Sequence, residues 1–535
     1  MMKRRTFLST TLAMAAAGWA PRSARASSGL VEVLLGEPIG LIAPELQGHF
    51  TEHIGEVVYN GIWVGENSKI PNVGGIRKAL VEHMRQLRAP VIRWPGGCFA
   101  DSYNWHDGVG PRAQRPVRTN FWENDPELRK APDGPQKYDP NTFGTAEFMR
   151  FCQLCGAQPY LAANVRSLTP LDFDEWVEYC NSPAGSTTLA QTRAEDGSRD
   201  PYNVSYWGIG NESWGCGGNL RPEEYAREFR RFTSWVPDYG QKLRFIGSGP
   251  GADEADPQVS WTRGFLENLV GKSTHLFDRL YGFSMHYYCG GGDSLKFSPD
   301  DWYELLRQAD FMDSLVSQHW TAMGEYDKAR KVKLVVDEWG AWHQTTSLGP
   351  GYLFSSVPAL RDALVTALTL DIFNRHAEKL AMCNVAQLVN NINTLFLTRD
   401  DRLVATTVFH VFDMYKSHQG ARSLRMFCDA PGISYGEGKR LWGVAGSASL
   451  QAKTLVVTVV NPHVGQPVMA EVSLRGGAAK SAQVTVLTAP DIHAHNDFDY
   501  PNAVVPTTAS ASVSGSRFPW TFPPASVTKL EIELA

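Results

Sequence analysis

Two glutamates close short apolar runs in this sequence: Glu212 ends Y-W-G-I-G-N-E, and Glu338 lies in K-L-V-V-D-E-W. Runs of this kind are too short for helices and show little polar alternation, as expected of parallel strands covered on both faces. Two carboxyl groups held at strand ends that face one another can cleave a glycosidic bond. One, protonated, gives its proton to the leaving oxygen; the other, ionised, attacks the anomeric carbon or activates water. Asn211, Trp214 and Trp339 stand beside the pair, supplying an amide for sugar hydroxyls and aromatic planes for sugar C–H faces. Asp337, next to Glu338, alternates to the opposite face of an ideal strand and is expected to be structural.

Other chemistries lack their parts. Gly208-x-Gly210 has no third glycine of a dinucleotide fingerprint, and no G-x-S-x-G elbow occurs. His493 and His495 lie far in sequence from the carboxylates, so neither a metal nor a cofactor is expected. Cys152-x-x-Cys155 shares a helical face but has no partner pair to complete a zinc site. Eight cysteines in 535 residues are no disulfide scaffold, and free buried thiols are expected.

The elements that must position the glutamates follow a repeating pattern. Strand-like runs at 49–53, 91–95, 159–165, 206–212, 244–248, 281–288, 333–339 and 383–390 alternate with helical patterns. One such pattern is R-P-E-E-Y-A-R-E-F-R-R-F, with Pro222 and Glu223 suited to a helix start and Tyr225, Phe229 and Phe232 forming an apolar stripe. Eight strand–helix units predict an α/β fold, a (β/α)8 barrel over residues 44–418 with its chemistry at the C-terminal strand ends. Glu212 then ends strand four and Glu338 strand seven. From about Gly420 the period becomes that of strands, predicting an antiparallel, jelly-roll-like β-sandwich over 419–535. Val31, Val33 and Leu35 alternate in the same way, which joins residues 28–43 to that sandwich. The stretch 507–516 reads as a polar loop or flexible edge.

With 43% hydrophobic and 20% charged residues the chain can bury a large core, which excludes intrinsic disorder. Its 51 basic and 56 acidic residues give a net charge of −5 without a basic block, which argues against nucleic acid or an anionic membrane as partner. Residues 1–26 read as a signal peptide of twin-arginine type, with Arg4-Arg5, an apolar stretch and Ala24-x-Ala26. The expected location is therefore periplasmic or extracellular.

Four motifs occur in one order: R-W-P-G-G-C-F-A-D-S-Y-N-W-H-D-G-V-G-P-R-x-x-R-P, G-I-G-N-E, S-M-H-Y-Y and V-D-E-W-G. Through them the chain resembles the family 51 glycoside hydrolases, the α-L-arabinofuranosidases, from residue 49 to about 390, and more weakly at H-N-D-F-D-Y-P-N. The resemblance implies a retaining, exo-acting enzyme that removes terminal α-L-arabinofuranosyl residues from arabinose-containing oligo- or polysaccharides such as arabinoxylan or arabinan. It implies a covalent intermediate, no cofactor, and a homo-oligomer, often a hexamer. Glu212 matches the general acid/base and Glu338 the nucleophile. Glu52, Arg93, Asn211, Tyr288 and Gln387 would surround the terminal sugar, with Trp122 as an aromatic wall for the leaving group. Arg93 can orient a carboxylate with its fork, Asn211 can donate to the sugar 2-hydroxyl, and Tyr288 can hydrogen-bond the nucleophile. Cys98 stands where many members have Asn, and a thiol is a far weaker hydrogen-bond partner, so a sugar contact is expected to be lost or moved. Two alternatives stay open: an endo-acting xylanase or endoglucanase using the same glutamates in a wide cleft, and a non-catalytic carbohydrate-binding protein using the sandwich.

Overall fold

The chain enters as a long strand, β1 (Ser28–Leu41), and then winds a barrel of eight strands. These are β2 (Gly48–Phe50), β3 (Val91–Trp94), β4 (Gln158–Ala163), β5 (Tyr206–Ile209), β6 (Arg244–Gly247), β7 (Leu280–Gly290), β8 (Lys333–Trp342) and β9 (Leu380–Val385). Each pairs in parallel with the next, and β9 closes on β2 through Asn384↔Gly48. The structure is a computed structural model that describes residues 28–131, 133–270, 278–345 and 353–535. The sequence runs at 49–53 through 383–390 each overlap one of these eight strands, with ends that differ by up to several residues, as for Leu380–Val385 against 383–390. Leu334, Val335 and Val336 are all buried, as the lack of alternation requires, because helices cover one face and barrel side chains the other.

The connecting helices brace the site. In α1 (Pro222–Thr233), Pro222 opens the first turn and Glu224 accepts from the Arg221 backbone N–H at 2.8 Å. Its inward stripe of Tyr225, Phe229 and Phe232 is buried. The Tyr225 hydroxyl donates to Ile209 O at 2.5 Å and accepts from Ser248 N at 2.6 Å, which stitches the C-terminal ends of β5 and β6 together. Among the described residues no helix is long and apolar enough to cross a membrane.

The second unit is one nine-stranded sheet. β10 (Arg422–Asp429), β11 (Ala445–Gln451), β12 (Thr454–Asn461), β13 (Val468–Arg475), β14 (Ala479–Thr488), β15 (Thr507–Ala511), β16 (Arg517–Phe522) and β17 (Ser526–Leu534) join β1 in the order β15-β14-β17-β12-β11-β10-β1-β13-β16. Val31, Val457, Val472, Phe518 and Leu530 share one core, so strands from both ends of the sheet enclose it. One detail differs from the expectation, and a second settles between its two readings. β1 runs antiparallel to β10 but parallel to β13, so the sheet is mixed. Residues 507–511, read as a polar loop or edge, form an exposed edge strand, because β14 offers them a free row of backbone groups.

A second long helix, α2 (Leu360–Arg375), lies between the two units and is buried from Leu360 to Asn374. Its Asp371 reaches into the sheet. One carboxylate oxygen accepts from Ser447 Oγ (2.7 Å) and Thr458 Oγ1 (2.6 Å), the other from the Tyr415 hydroxyl (2.9 Å). Burial pushes the Asp371 carboxyl up to about 7, and these hydrogen bonds only partly offset it. A carboxyl raised on folding binds its proton more tightly in the native state. The stability it contributes is complete below its unfolded value and is lost as pH rises through about 7. Melting temperature is therefore expected to fall between about pH 4 and pH 7, and Asp371→Asn to flatten that slope because the amide does not titrate. Equal slopes for the two proteins in thermal unfolding would refute the assignment.

Candidate active site

The C-terminal ends of the barrel strands surround a pocket of about 340 Å³ whose lining includes Glu52, Cys98, Trp122, Glu212, Glu338 and Gln387. Tyr288 lines it too, whereas Arg93 and Asn211 are buried and stand behind the wall. All nine residues expected at the site thus gather at one strand-end mouth. Trp339 does not. Next to Glu338 in β8, it turns outward into the core against Phe373, with ring centroids 5.2 Å apart.

Glu338 is held from several sides. Arg93, on β3, donates Nη1 to its Oε1 at 2.8 Å, and the Tyr288 hydroxyl, on β7, donates to its Oε2 at 2.9 Å. Burial raises this carboxyl, but His286, Arg93 and the hydrogen bonds from Arg93 and Tyr288 outweigh it and hold it below its ordinary value. The guanidinium does not grip one carboxylate with both arms, as the fork reading expected. Its Nη2 donates to Asn211 Oδ1 at 2.5 Å, and its Nε lies 3.4 Å from Asp337 Oδ2. One planar cation on β3 thereby ties the end of β8, through Glu338 and Asp337, to Asn211 after β5.

Asp337 corrects a second expectation. Met285 pairs with Val336 but His286 pairs with Glu338, so Asp337 is an extra residue in β8. The bulge cancels the alternation and turns Asp337 inward beside Glu338. There it accepts from the Tyr160 hydroxyl at 2.7 Å and from Asn384 Nδ2 at 2.8 Å, beneath the pocket.

Glu212 sits on a tightly wound turn. Its φ of 39° lies in the left-handed region, which costs a residue with a Cβ about 1–3 kcal/mol and persists only where the surroundings over-determine it. They do so here. Gly215 and Gly217 donate their backbone N–H groups to Glu212 O at 2.8 and 3.1 Å. A Cβ at Gly217 would stand 1.8 Å from Asn211 O, so only glycine fits. Asp101, from the loop after β3, accepts from Asn211 N at 2.8 Å and from Val165 N at 2.7 Å. Sequence reasoning passed over Asp101, although it lies within the first recognised motif.

It also passed over His286. This buried imidazole places Nδ1 2.9 Å from Glu212 Oε1 and 3.6 Å from Glu338 Oε2. Burial lowers its pKa, but Glu338 and Glu212 together outweigh that and hold it above the ordinary value. A period of two along β7 would have found it, since His286 shares a strand face with Tyr288. One ligand-type atom from each of Glu212, His286 and Glu338 lies within 4.8 Å of the others, and one hydrogen bond, between His286 Nδ1 and Glu212 Oε1, lies within this trio.

The floor and walls complete the pocket. Glu52 accepts from Phe99 N at 3.0 Å and from Gln387 Nε2 at 3.1 Å, while burial and the nearby Glu338 push it up to about 7. Gln387 Oε1, Trp122 Nε1 and Trp214 Nε1 are buried with no protein partner among the described residues, leaving polar atoms for a hydroxylated ligand. Trp122 meets Phe354 edge-on at 5.8 Å, and Phe354 meets Trp342 at 4.7 Å, which forms one aromatic wall.

Cys98 carries no thiol. It forms a disulfide with Cys216, 118 residues away. This corrects the expected thiol at the sugar site. The six others are free, five of them buried and Cys428 half-buried. Counting cysteines could not reveal the pair, because only barrel closure brings the loops after β3 and β5 together.

Two family descriptions match the chain: "Alpha-L-arabinofuranosidase 1 domain" over residues 83–288 and "Alpha-L-arabinofuranosidase C-terminal domain" over 337–526. A protein of Bacteroides ovatus named "Intracellular exo-alpha-L-arabinofuranosidase" is 34% identical over 504 residues, covering 92% of this chain and 93% of its own. The crystal structure of a GH51 arabinofuranosidase from Xanthomonas axonopodis pv. citri superposes with a TM-score of 0.87 at 35% identity, covering 95% of this chain and all of that one (100%). The α-L-arabinofuranosidase from Thermotoga maritima, solved as an arabinose complex, gives 0.80 at 28% identity over 95% and 100% of the two chains. The Bacteroides relative overturns the expectation of export: it matches nearly the whole chain and is named intracellular. The periplasmic or extracellular location is withdrawn, and residues 1–26, which carried it, lie outside the described residues. A leader is an address read by a receptor and leaves no mark on the packing of the domains behind it.

Proposed function

The chain belongs to glycoside hydrolase family 51, the α-L-arabinofuranosidases, and from that premise we propose that it removes terminal non-reducing α-L-arabinofuranosyl residues with retention at the anomeric carbon. The observation that carries retention is the closeness of the carboxyl groups, with oxygens of Glu212 and Glu338 within 4.8 Å of each other. Retaining enzymes separate the pair by about 5–5.5 Å, whereas inverting ones need about 6.5–9.5 Å to seat a water. In this reading Glu212 gives its proton to the leaving oxygen while Glu338 attacks the anomeric carbon. Water then displaces Glu338 and returns a proton to Glu212.

The surrounding groups have roles that follow from their contacts. Arg93 and Tyr288 keep Glu338 ionised and aimed. Arg93 occupies Asn211 Oδ1, which leaves the Asn211 NH2 as the group free to donate to the 2-hydroxyl. Glu52 and Gln387 hold ring hydroxyls at the floor, and Trp122 with Phe354 flanks the leaving group. A small pocket walled by aromatic rings supports release of single side-chain sugars, from arabinoxylan or arabinan, over cleavage within a long backbone. We assign catalysis to residues 44–418 and the sandwich to 28–43 plus 419–535. The assembly we propose is a hexamer, which light scattering would test.

A panel of aryl α-L-arabinofuranoside, β-D-xyloside and β-D-glucoside should show the first cleaved preferentially. NMR of the early time course should show the α-anomer of arabinose forming first; first appearance of the β-anomer would reject retention. Tyr288→Phe removes one hydrogen bond to a charged oxygen, worth about 1.5–3 kcal/mol. Its kcat should fall by roughly 10- to 150-fold, each 1.36 kcal/mol being tenfold, with KM little changed. A KM effect with kcat intact would place Tyr288 on the sugar instead of on Glu338.

A further inference from the structure

The Cys98–Cys216 disulfide lies against the proton-donating carboxyl and is not used by the mechanism above. Cys98 Sγ and Cys216 Sγ stand 3.8 and 3.6 Å from Glu212 Oε2, whereas Glu212 Oε1 faces His286. Sulfurs joined to each other carry no hydrogen, so Oε2 receives no donor from them. The bridge also ties the turn that carries Glu212, held at φ 39°, to the loop after β3. Both cysteines are half-buried, and Cys98 lines the pocket, so a small reagent can reach them.

We propose that the Cys98–Cys216 disulfide is a positioning element of the general acid, and that its reduction selectively slows cleavage of glycosides whose leaving group needs a proton. Reduction by a dithiol balances simply. The dithiol gives two electrons and two protons, its own sulfurs join, and Cys98 and Cys216 become thiols. Glu212 feels this in two ways. The turn loses its covalent tie to the neighbouring loop, and two S–H groups gain the chance to donate to Oε2. A carboxylate that accepts such bonds is favoured in its ionised form and gives up the acid form needed for donation. Glu338 is held by Arg93 and Tyr288 and not by the bridge, so its attack is left intact.

The proposal rests on Glu212 as the acid, and the experiment separates the two. The full chain is reduced with dithiothreitol, and exposed thiols are mapped with iodoacetamide on a parallel sample. The five buried free cysteines serve as internal controls. kcat/KM, which reports only the steps through glycosyl transfer to the enzyme, is compared for 4-methoxyphenyl and 2,4-dinitrophenyl α-L-arabinofuranosides. Reduction should lower the first by at least about tenfold, up to the roughly 10²–10⁴-fold that proton donation contributes in full. The second should change less than about twofold, and reoxidation should restore both. Cys216→Ser should show the same selectivity permanently, which carries the test if the bridge resists reduction. A parallel loss on both substrates would mean a general structural role, and no loss on either in Cys216→Ser would also overturn the proposal. Glu212→Ala run alongside is the control: if it loses both substrates equally, it is the acid assignment that fails.

Discussion

Glu338→Ala is expected to lower kcat/KM for every aryl α-L-arabinofuranoside by more than about 10⁴-fold, beyond what loss of an acid/base alone costs. The leaving group should not matter. Without the carboxylate no covalent intermediate forms, however well the aglycone departs. The folded protein should survive, because Arg93 keeps Asp337 and Asn211 as partners when Glu338 is gone. Added azide can occupy the space vacated by Glu338 and attack from that face. The product should be the β-configured arabinosyl azide, identified by its anomeric proton coupling. An α-configured product from this variant would mean that the two glutamates have exchanged roles.

Glu212→Ala should behave differently, and the contrast is its signature. Proton donation contributes about 10²–10⁴-fold, so substrates with poor leaving groups should lose that much in kcat/KM. A dinitrophenolate departs without a proton, so its arabinoside should still load Glu338. Deglycosylation then lacks its base, and the intermediate should accumulate, visible as a burst of dinitrophenol and a mass increase of one pentosyl group. Azide needs no base and should restore turnover with an α-configured product. A leaving-group-independent loss, without burst or rescue, would remove Glu212 from the acid/base role.

Much of this arrangement is legible along the chain. Runs such as Leu334–Val336, apolar on both faces, mark barrel strands because local composition decides whether a strand can be covered twice. The stripe Tyr225, Phe229, Phe232 marks a helix packed on them because its spacing follows the helical period. Glu212 and Glu338 stand out as carboxyls at the ends of such runs. The motifs around Arg93, Asn211 and Tyr288 are contiguous in sequence, so family resemblance reaches them as well. The location read from residues 1–26 did not hold, since a leader-like composition is not tied to the packing of the barrel and the sheet.

What the tertiary structure alone decided are the relations between residues distant in sequence. Strand alternation put Asp337 on the wrong face, because a one-residue bulge is set by the register between β7 and β8 and has no local signature. Arg93 is visible as a cation, but its division among Glu338, Asn211 and Asp337 needs three strand ends brought together. His286 acquires its meaning only when β7 carries it between two carboxylates from other strands. Cys98 and Cys216 are two cysteines among eight until barrel closure brings loops 118 residues apart into contact. Side-chain type and local period are properties of short segments, so they survive in the one-dimensional chain. Charge pairing, sulfur pairing and strand register depend on distances through space, which exist only after the eight strands have closed.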